Sequence, residues 1–278
     1  MSVTEHGIRV SILTPSYNQG EYIEQTIASV AAQEYPELEH IVIDGGSTDG
    51  TVALLKKYPY IKWKSERDKG QADALNKGLA MSTGEIIGWI NSDDYYNPGI
   101  IHEVVIHFLD PAVQWVIGNI SYLYECDKML MEDKSPVVTY RNLLRNPDIV
   151  RQQATFFRKT AIESVGGWNE RLYMTMDYDL WVRMAKVSTP IMVDRTWAVF
   201  RFHPAQKTSF INLRRQTGEI TLVLRKEKAP RSALTALLLK KHWYIAKGLL
   251  KWLLLKSGLL DRKYEARPLR RSRQKVKK

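Results

Sequence analysis

Apolar residues gather along the first hundred positions in short blocks separated by helical stripes. Residues 9–14 (RVSILT) read as a buried strand, closed by the turn formers Pro15-Ser16-Tyr17-Asn18-Gln19-Gly20. Over residues 21–33 the apolar positions Ile23, Ile27, Val30 and Ala31 recur at helical spacing. A second strand, 38–43, runs into Asp44-Gly45-Gly46-Ser47-Thr48-Asp49-Gly50, and a helix is expected over 51–58. A third strand is predicted at 60–65. The turn from Glu66 to Gln71 then opens a helix through Met81, with Ala72, Leu75 and Leu79 on one face. Residues 85–90 form the fourth strand, closed by Asn91-Ser92-Asp93-Asp94. Strands alternating with helices in this way predict an α/β fold around a mostly parallel central sheet.

Farther along, Asn97-Pro98-Gly99 starts a helix to Phe108, with Pro98 in the first turn. Residues 114–119 read as a strand, with a hairpin continuing to Met131. A strand at 151–157 leads to a short helix at 159–165 and a turn, Gly166-Gly167-Trp168-Asn169-Glu170. From Met176 a helix carries Leu180, Trp181 and Met184 on one face, and 199–203 is a last short strand.

Ligands in an open α/β sheet bind beyond the carboxyl ends of the strands, which is where Asp93 and Asp94 fall. Adjacent carboxylates there repel unless a cation neutralises them, and an all-oxygen set suits Mg²⁺ or Mn²⁺. The glycines after Asp44 let a ligand approach the backbone, and Asp44 can accept hydrogen bonds from a base or ribose. The turn is neither GxGxxG nor a P-loop. Arg67 and Lys69 either face a diphosphate or belong to a solvated loop. Asp177 and Asp179 sit at a helix start, where a carboxylate serves equally as an N-terminal cap or as a base. His203 is a ligand, a phosphate contact or a surface residue, and the six histidines make no metal-binding set by spacing.

The 278 residues allow one large α/β domain plus an appendage. The single cysteine, Cys126, excludes an internal disulfide framework and fits a reducing compartment. The opening MSVTEHGIRV has no basic stretch followed by an apolar one, so a secretory signal is not expected. The net charge of +11 divides unevenly: residues 225–278 hold 18 Lys+Arg against 3 Asp+Glu, and the remaining 224 residues hold 23 against 27. A mildly acidic body with a basic tail points to an anionic surface, either lipid or nucleic acid.

The ordered segments TPSYNQGEYIEQTIASVAAQ, IVIDGGSTDGT, DKGQADALNKGLAMSTGEIIGWINSDD, QQATFFRK, GGWNE, MDYDLWVRM and FRFHPAQKT resemble family 2 glycosyltransferases of the GT-A fold. The resemblance covers roughly residues 8–210. It implies a Rossmann-like central sheet flanked by helices and an inverting, metal-dependent enzyme using a nucleotide-diphospho-sugar. By that resemblance Thr14, Pro15, Tyr17, Asn18, Asp44, Gly45, Asp68, Gln71, Asn91, Ser92 and Asp94 surround the donor. Asp93 and His203 meet a divalent cation, Mn²⁺ or Mg²⁺, and Asp177 is the catalytic base, with Asp179 as fallback. Two departures stand out: Asn91 replaces the usual aspartate of the DxD position, and Met176 replaces the glutamate before the base.

The expected organisation is a catalytic domain over 1–225, with a nucleotide-binding half near 8–95 and an acceptor half near 96–225, followed by a basic amphipathic helical tail over 226–278. The tail's Trp, Leu and Lys pattern suits peripheral attachment to an anionic membrane surface, the cytoplasmic face of the cell membrane being the expected location, although a helical pair packed on the domain fits the same pattern. The acceptor is expected to be a saccharide or a lipid-linked sugar, in cell-surface polysaccharide synthesis. A sugar-phosphate nucleotidyltransferase and a non-enzymatic nucleic-acid binder using the tail are the alternatives. No nucleic-acid recognition motif accompanies the charge, so no specific nucleic acid is expected.

Overall fold

The computed structural model describes residues 7–124, 129–203, 206–207, 212–239 and 242. Its first half alternates β1 (Val10–Ser16), α1 (Ile23–Ala31), β2 (Leu38–Asp44), α2 (Thr51–Leu55), β3 (Lys62–Ser65), α3 (Gln71–Met81) and β4 (Ile86–Trp89). The second half comprises β5 (Tyr95–Tyr96), α4 (Ile100–His107), β6 (Trp115–Tyr124), β7 (Met129–Asp133), α5 (Tyr140–Arg145), β8 (Thr155–Arg158), α6 (Lys159–Ser164), α7 (Met176–Val187), β9 (Ile191–Phe202) and α8 (Leu213–Lys226). One sheet runs in the order β3-β2-β1-β4-β8-β6-β9-β5, and β7 pairs with β6.

The apolar blocks of the sequence become the parallel part, in which β1 lies between β2 and β4. Every residue of β1 and of β4 is buried, because helices cover both faces there. Beyond β4 the direction reverses. β8 is antiparallel to β4, β6 is antiparallel to β8, and β9 is parallel to β6. Helix α3 has the predicted limits and buries Ala72, Leu75 and Leu79, as its stripe requires.

The largest apolar cluster lies where the two halves meet, with Trp181 of α7 packed on Trp115 at 6.2 Å, Trp89 at 6.4 Å and Phe157 at 5.3 Å between ring centres. Burying one aromatic of this size removes about 150–250 Å² from water, on the order of 4–6 kcal/mol. This packing fixes where α7 begins, and Asp177 with it.

Three differences from the sequence reading have local causes. The strand expected from Arg151 opens as a single turn, Gln152–Ala154, because both glutamine side chains bond to the β4 exit instead of facing solvent. Strand β9 starts at Ile191, well before the predicted 199, since its first residues are solvent-facing and show no apolar alternation. Helix α8 crosses residue 225, and the helical residues 231–239 follow it, with Ala233 and Leu237 buried and Leu237 joining the main cluster. The start of the expected tail therefore packs on the domain. Most of that tail, like the hairpin tip at 125–128, lies outside the described residues.

Candidate active site

A cavity of about 1570 Å³ opens over the carboxyl ends of β1, β2 and β4 and extends past β6 and β9 to the first turn of α7. On the donor side its wall includes Pro15, Ser16, Tyr17, Gly45, Arg67, Asp68 and Gln71. The two turns that form this wall are fastened to each other. Asn18, in the left-handed region at φ 52°, accepts from the Thr48 N–H at 2.8 Å through Oδ1, and its own N–H donates to Ser47 Oγ at 2.7 Å. Asp44 is buried and its carboxylate accepts from its own turn, from Ser47 N–H at 2.9 Å and Gly46 N–H at 3.1 Å, and from Ser65 Oγ at 2.6 Å. Gly45 allows a close approach, since a Cβ there would lie 2.7 Å from Asp68 Oδ2.

The β4 exit is a polar lattice. Asn91 Oδ1 accepts from Trp89 Nε1 at 2.9 Å and Gln71 Nε2 at 2.8 Å, while its Nδ2 donates to Gln152 Oε1 at 3.0 Å. Asp94 points inward: Oδ1 accepts from Arg201 N–H at 3.0 Å and Oδ2 from Gln153 Nε2 at 2.9 Å. Burial, then the neighbouring Asp93 charge, pushes the Asp94 carboxyl well above the usual carboxylate range. Asp93 faces the cavity, with Oδ2 3.0 Å from Nε2 of the buried His203. The Arg201 guanidinium, lying over Tyr22 and Tyr95, donates to the Asp93 carbonyl at 3.0 Å.

Asp177 reaches the same cavity from the first turn of α7. Burial pushes its carboxyl up to about 6, against the Tyr178 N–H and the Lys207 ammonium, which favour the charged form. Lys207 Nζ donates to Gln71 Oε1 at 3.1 Å and lies 4.1 Å from the centre of the Tyr173 ring. Burial pulls Lys207 down to about 8, although the charges of Asp177 and Glu219 oppose that shift. The turn before Asp177 is held from α8. Glu219 accepts from the N–H groups of Tyr173 at 3.1 Å, Met174 at 2.7 Å and Thr175 at 3.1 Å. Burial acts to raise Glu219, but these N–H groups and Arg215 keep it below its ordinary value.

Of the residues expected at the donor, Pro15, Tyr17, Gly45, Asp68, Gln71, Asn91 and Ser92 line the cavity, as do Asp93 and Asp177. Thr14, Asn18, Asp44 and Asp94 stand behind that wall. Thr14 bonds His40 at 2.9 Å, and the others shape the turns or the lattice. His203, expected beside the cation with Asp93, lies behind the wall with its Nε2 3.0 Å from Asp93 Oδ2. Asp179 is buried in an ion pair with Arg183 at 2.7 Å and does not line the cavity, whereas Asp177 does. Lys207, Glu219, Gln152 and Gln153 were not anticipated. Lys207 lies inside the segment FRFHPAQKT, but no periodicity sets it apart.

A nucleotide-sized cavity at the carboxyl ends of a parallel half-sheet, with an acidic strand exit and a second carboxylate on a separate helix, defines a glycosyltransferase of GT-A architecture. The chain belongs to glycosyl transferase family 2, whose profile matches residues 11–164. It is 31% identical over 193 residues to an uncharacterised glycosyltransferase of Mycobacterium tuberculosis, covering 66% of this chain and 71% of that protein. The fold is similar to that of TarS 1–349 from S. aureus in complex with UDP-GlcNAc, with a TM-score of 0.60 and 18% identity over 78% of this chain and 66% of that one. A mannosyltransferase from Pyrobaculum calidifontis in complex with GDP-Man and Mn²⁺ is similar to the same degree, TM-score 0.60 and 21% identity, over 88% of this chain and 72% of that one. The chain is thus an enzyme of the nucleotide-sugar-dependent hexosyltransferase class.

Proposed function

We propose that the enzyme inverts the anomeric centre of a nucleoside-diphosphate sugar as it transfers that sugar to a hydroxyl of a saccharide or lipid-linked acceptor, in cell-surface polysaccharide synthesis. The observation that carries this reading is Asp177, a carboxylate raised to about 6 that shares a cavity with the Gly45–Asp68 wall and with Asp93. The acceptor hydroxyl gives its proton to Asp177 as its oxygen bonds to the anomeric carbon, and the bond to the phosphate oxygen breaks with its electron pair. Lys207 faces the charge that develops on the leaving diphosphate. A single base with no enzyme nucleophile corresponds to one displacement, hence inversion.

Asp93 and His203 offer one carboxylate oxygen and one imidazole nitrogen, a set that Mn²⁺ accepts when phosphate oxygens and water complete the shell. Phosphate oxygens of the donor and water would supply the remaining ligands. Bound there, the ion would offset charge on the diphosphate. The test is release of nucleoside diphosphate from UDP- and GDP-sugars with Mn²⁺, alongside thermal shifts with the free nucleotides. Wild type shows Mn²⁺-dependent stabilisation by a nucleoside diphosphate, and Asp93→Ala loses it; equal shifts in the two proteins refute the metal assignment. Release from none of the donors refutes the transfer reading. Sugar-phosphate nucleotidyl transfer and nucleic-acid binding are not favoured, since neither requires a base at Asp177.

We also propose that the basic C-terminal segment holds the enzyme on an anionic membrane, at the cytoplasmic face. Among the described residues no helix is long and apolar enough to cross a membrane. Leu222, Leu238 and Leu239 are exposed, and Arg225, Lys226 and Lys228 lie near them in sequence. Removal of residues 243–278 abolishes sedimentation with phosphatidylserine vesicles at unchanged nucleotide affinity; undiminished sedimentation refutes this attachment.

A further inference from the structure

Strands β6 and β9 run parallel and in register at their carboxyl ends, with Tyr122 beside Phe200 and Tyr124 beside Phe202. Residues two apart on a strand share a face, so these four rings form one wall, while Leu123 and Arg201 take the other face. The rings touch in sequence: Phe200 and Phe202 lie 4.8 Å apart, Phe202 and Tyr124 are stacked at 4.9 Å, and Phe202 and Tyr122 are 5.2 Å apart. All four line the cavity that Asp177 enters. Three of them, Tyr122, Phe200 and Phe202, are only half-buried, unlike Trp89, Trp115 and Trp181 in the core. Leu130, 55% exposed, extends the apolar surface from β7.

Charge divides the same cavity. The donor side is mixed: Arg67, Lys69 and Lys207 line it together with Asp68 and Asp93, so a diphosphate finds cations there. Near the aromatic wall the cavity is lined instead by Glu132, Asp133 and Asp148, and the Asp148 charge reaches Asp177, where it raises the carboxyl. Arg151, the cation on that side among the described residues, is buried and committed to Asp133 at 2.8 Å.

Resting on the glycosyl-transfer reading above, we propose that Tyr122, Tyr124, Phe200 and Phe202 form the acceptor platform, and that the acceptor's terminal residue is a neutral sugar. A pyranose ring has faces of weakly positive C–H groups, which match the negative face of an aromatic ring, and hydroxyls that carboxylates can accept from. A phosphate or uronate at the same place meets like charge in a partly desolvated site, so the wall discriminates against acidic acceptor ends.

The experiment pairs two measurements on the full chain with Mn²⁺ present, the first with a nucleoside diphosphate and the second with UDP- or GDP-sugars. The first is retention on an array of neutral, uronate-bearing and phosphate-bearing oligosaccharides. The second is donor hydrolysis by water, which needs no acceptor and tests the transfer reading separately. Wild type retains neutral sugars. Tyr122→Ala and Phe202→Ala weaken retention on the order of tenfold, with donor hydrolysis unchanged. Phe202→Leu, which keeps apolar bulk without a π face, weakens it as well, and Phe202→Tyr restores it. Equal retention by Phe202→Leu, preference for acidic glycans or retention of no neutral glycan overturns the proposal. Loss of donor hydrolysis in the wild type instead overturns the transfer reading beneath it.

Discussion

On the donor side of the cavity, the groups that shape each turn come from nearby in the chain. Asn18 reaches Thr48 across 30 positions, Asp44 reaches Ser65 across 21, and Gln71 reaches Asn91 across 20. On the catalytic side the spans lengthen. Glu219 clamps Met174 across 45 positions, Gln152 holds Trp89 across 63, His203 meets Asp93 across 110, and Lys207, the cation that joins the two sides, meets donor-wall Gln71 across 136. The donor half is a set of self-contained turns on a prefabricated βαβ frame. The catalytic half exists only when the whole chain is folded, so damage there should cost turnover before it costs donor binding.

The largest expected effect comes from Asp177→Asn. It keeps the shape of the α7 start but cannot take a proton, so turnover falls by about 10²- to 10⁴-fold with donor affinity retained. A transfer assay beside a nucleotide titration checks it, and loss of donor binding would erase the contrast between the halves. Glu219→Ala comes next. Three N–H groups lose a charged acceptor, at about 1–3 kcal/mol for a buried group left unpaired, and the turn that carries Asp177 loosens. Turnover drops about 10- to 100-fold, as misplacement of a base by about 1 Å would produce, while the nucleotide Kd stays within about twofold. Glu219→Gln recovers part of the loss, and unaltered turnover in Glu219→Ala would show that the clamp is not needed.

The smallest effect is the most diagnostic. In the proposed reaction Asp177 works as a carboxylate, so kcat/KM is expected to rise as pH increases through about 6, and Lys207 works as an ammonium, so it is expected to fall again as pH increases through about 8. Lys207→Met removes the alkaline limb. It also moves the acid limb upward, because the ammonium is one of the influences that lower Asp177. Lys207→Arg moves the alkaline limb beyond the measurable range, since a guanidinium does not deprotonate there. The pH–rate profiles of the three proteins decide it, and a persistent alkaline limb in both variants would assign that limb to another group.

The same division explains what could be read from the sequence. The parallel half was legible because each element carries its own signal: a short apolar run, a Gly-rich turn, a stripe such as Ala72, Leu75 and Leu79. The positions of Asp93 at a strand end and Asp177 at a helix start were legible, and both line the cavity, while the roles expected of them came from the family resemblance. Asp44 was read as a donor contact; its carboxylate also ties its own turn to Ser65 of the next strand, a bond that no local pattern announces. Lys207 and Glu219 gave no signal. Each acts through a partner that only tertiary folding brings near, and Glu219 looks in the sequence like any helical glutamate. Gln152 and Gln153 looked like strand residues for the same reason.

One hydrogen bond has a practical optical side. Trp89 ends β4 inside the largest apolar cluster, and its indole N–H donates to Asn91 Oδ1 at 2.9 Å, on the lattice that joins Gln71 to the Asn91–Asp94 loop. Indole emission responds to the polarity and hydrogen bonding around its nitrogen. A nucleotide that shifts Gln71 or Asn91 would alter that bond and, with it, the emission of Trp89, which a comparison of wild type with Trp89→Phe would separate from the signal of the other seven tryptophans.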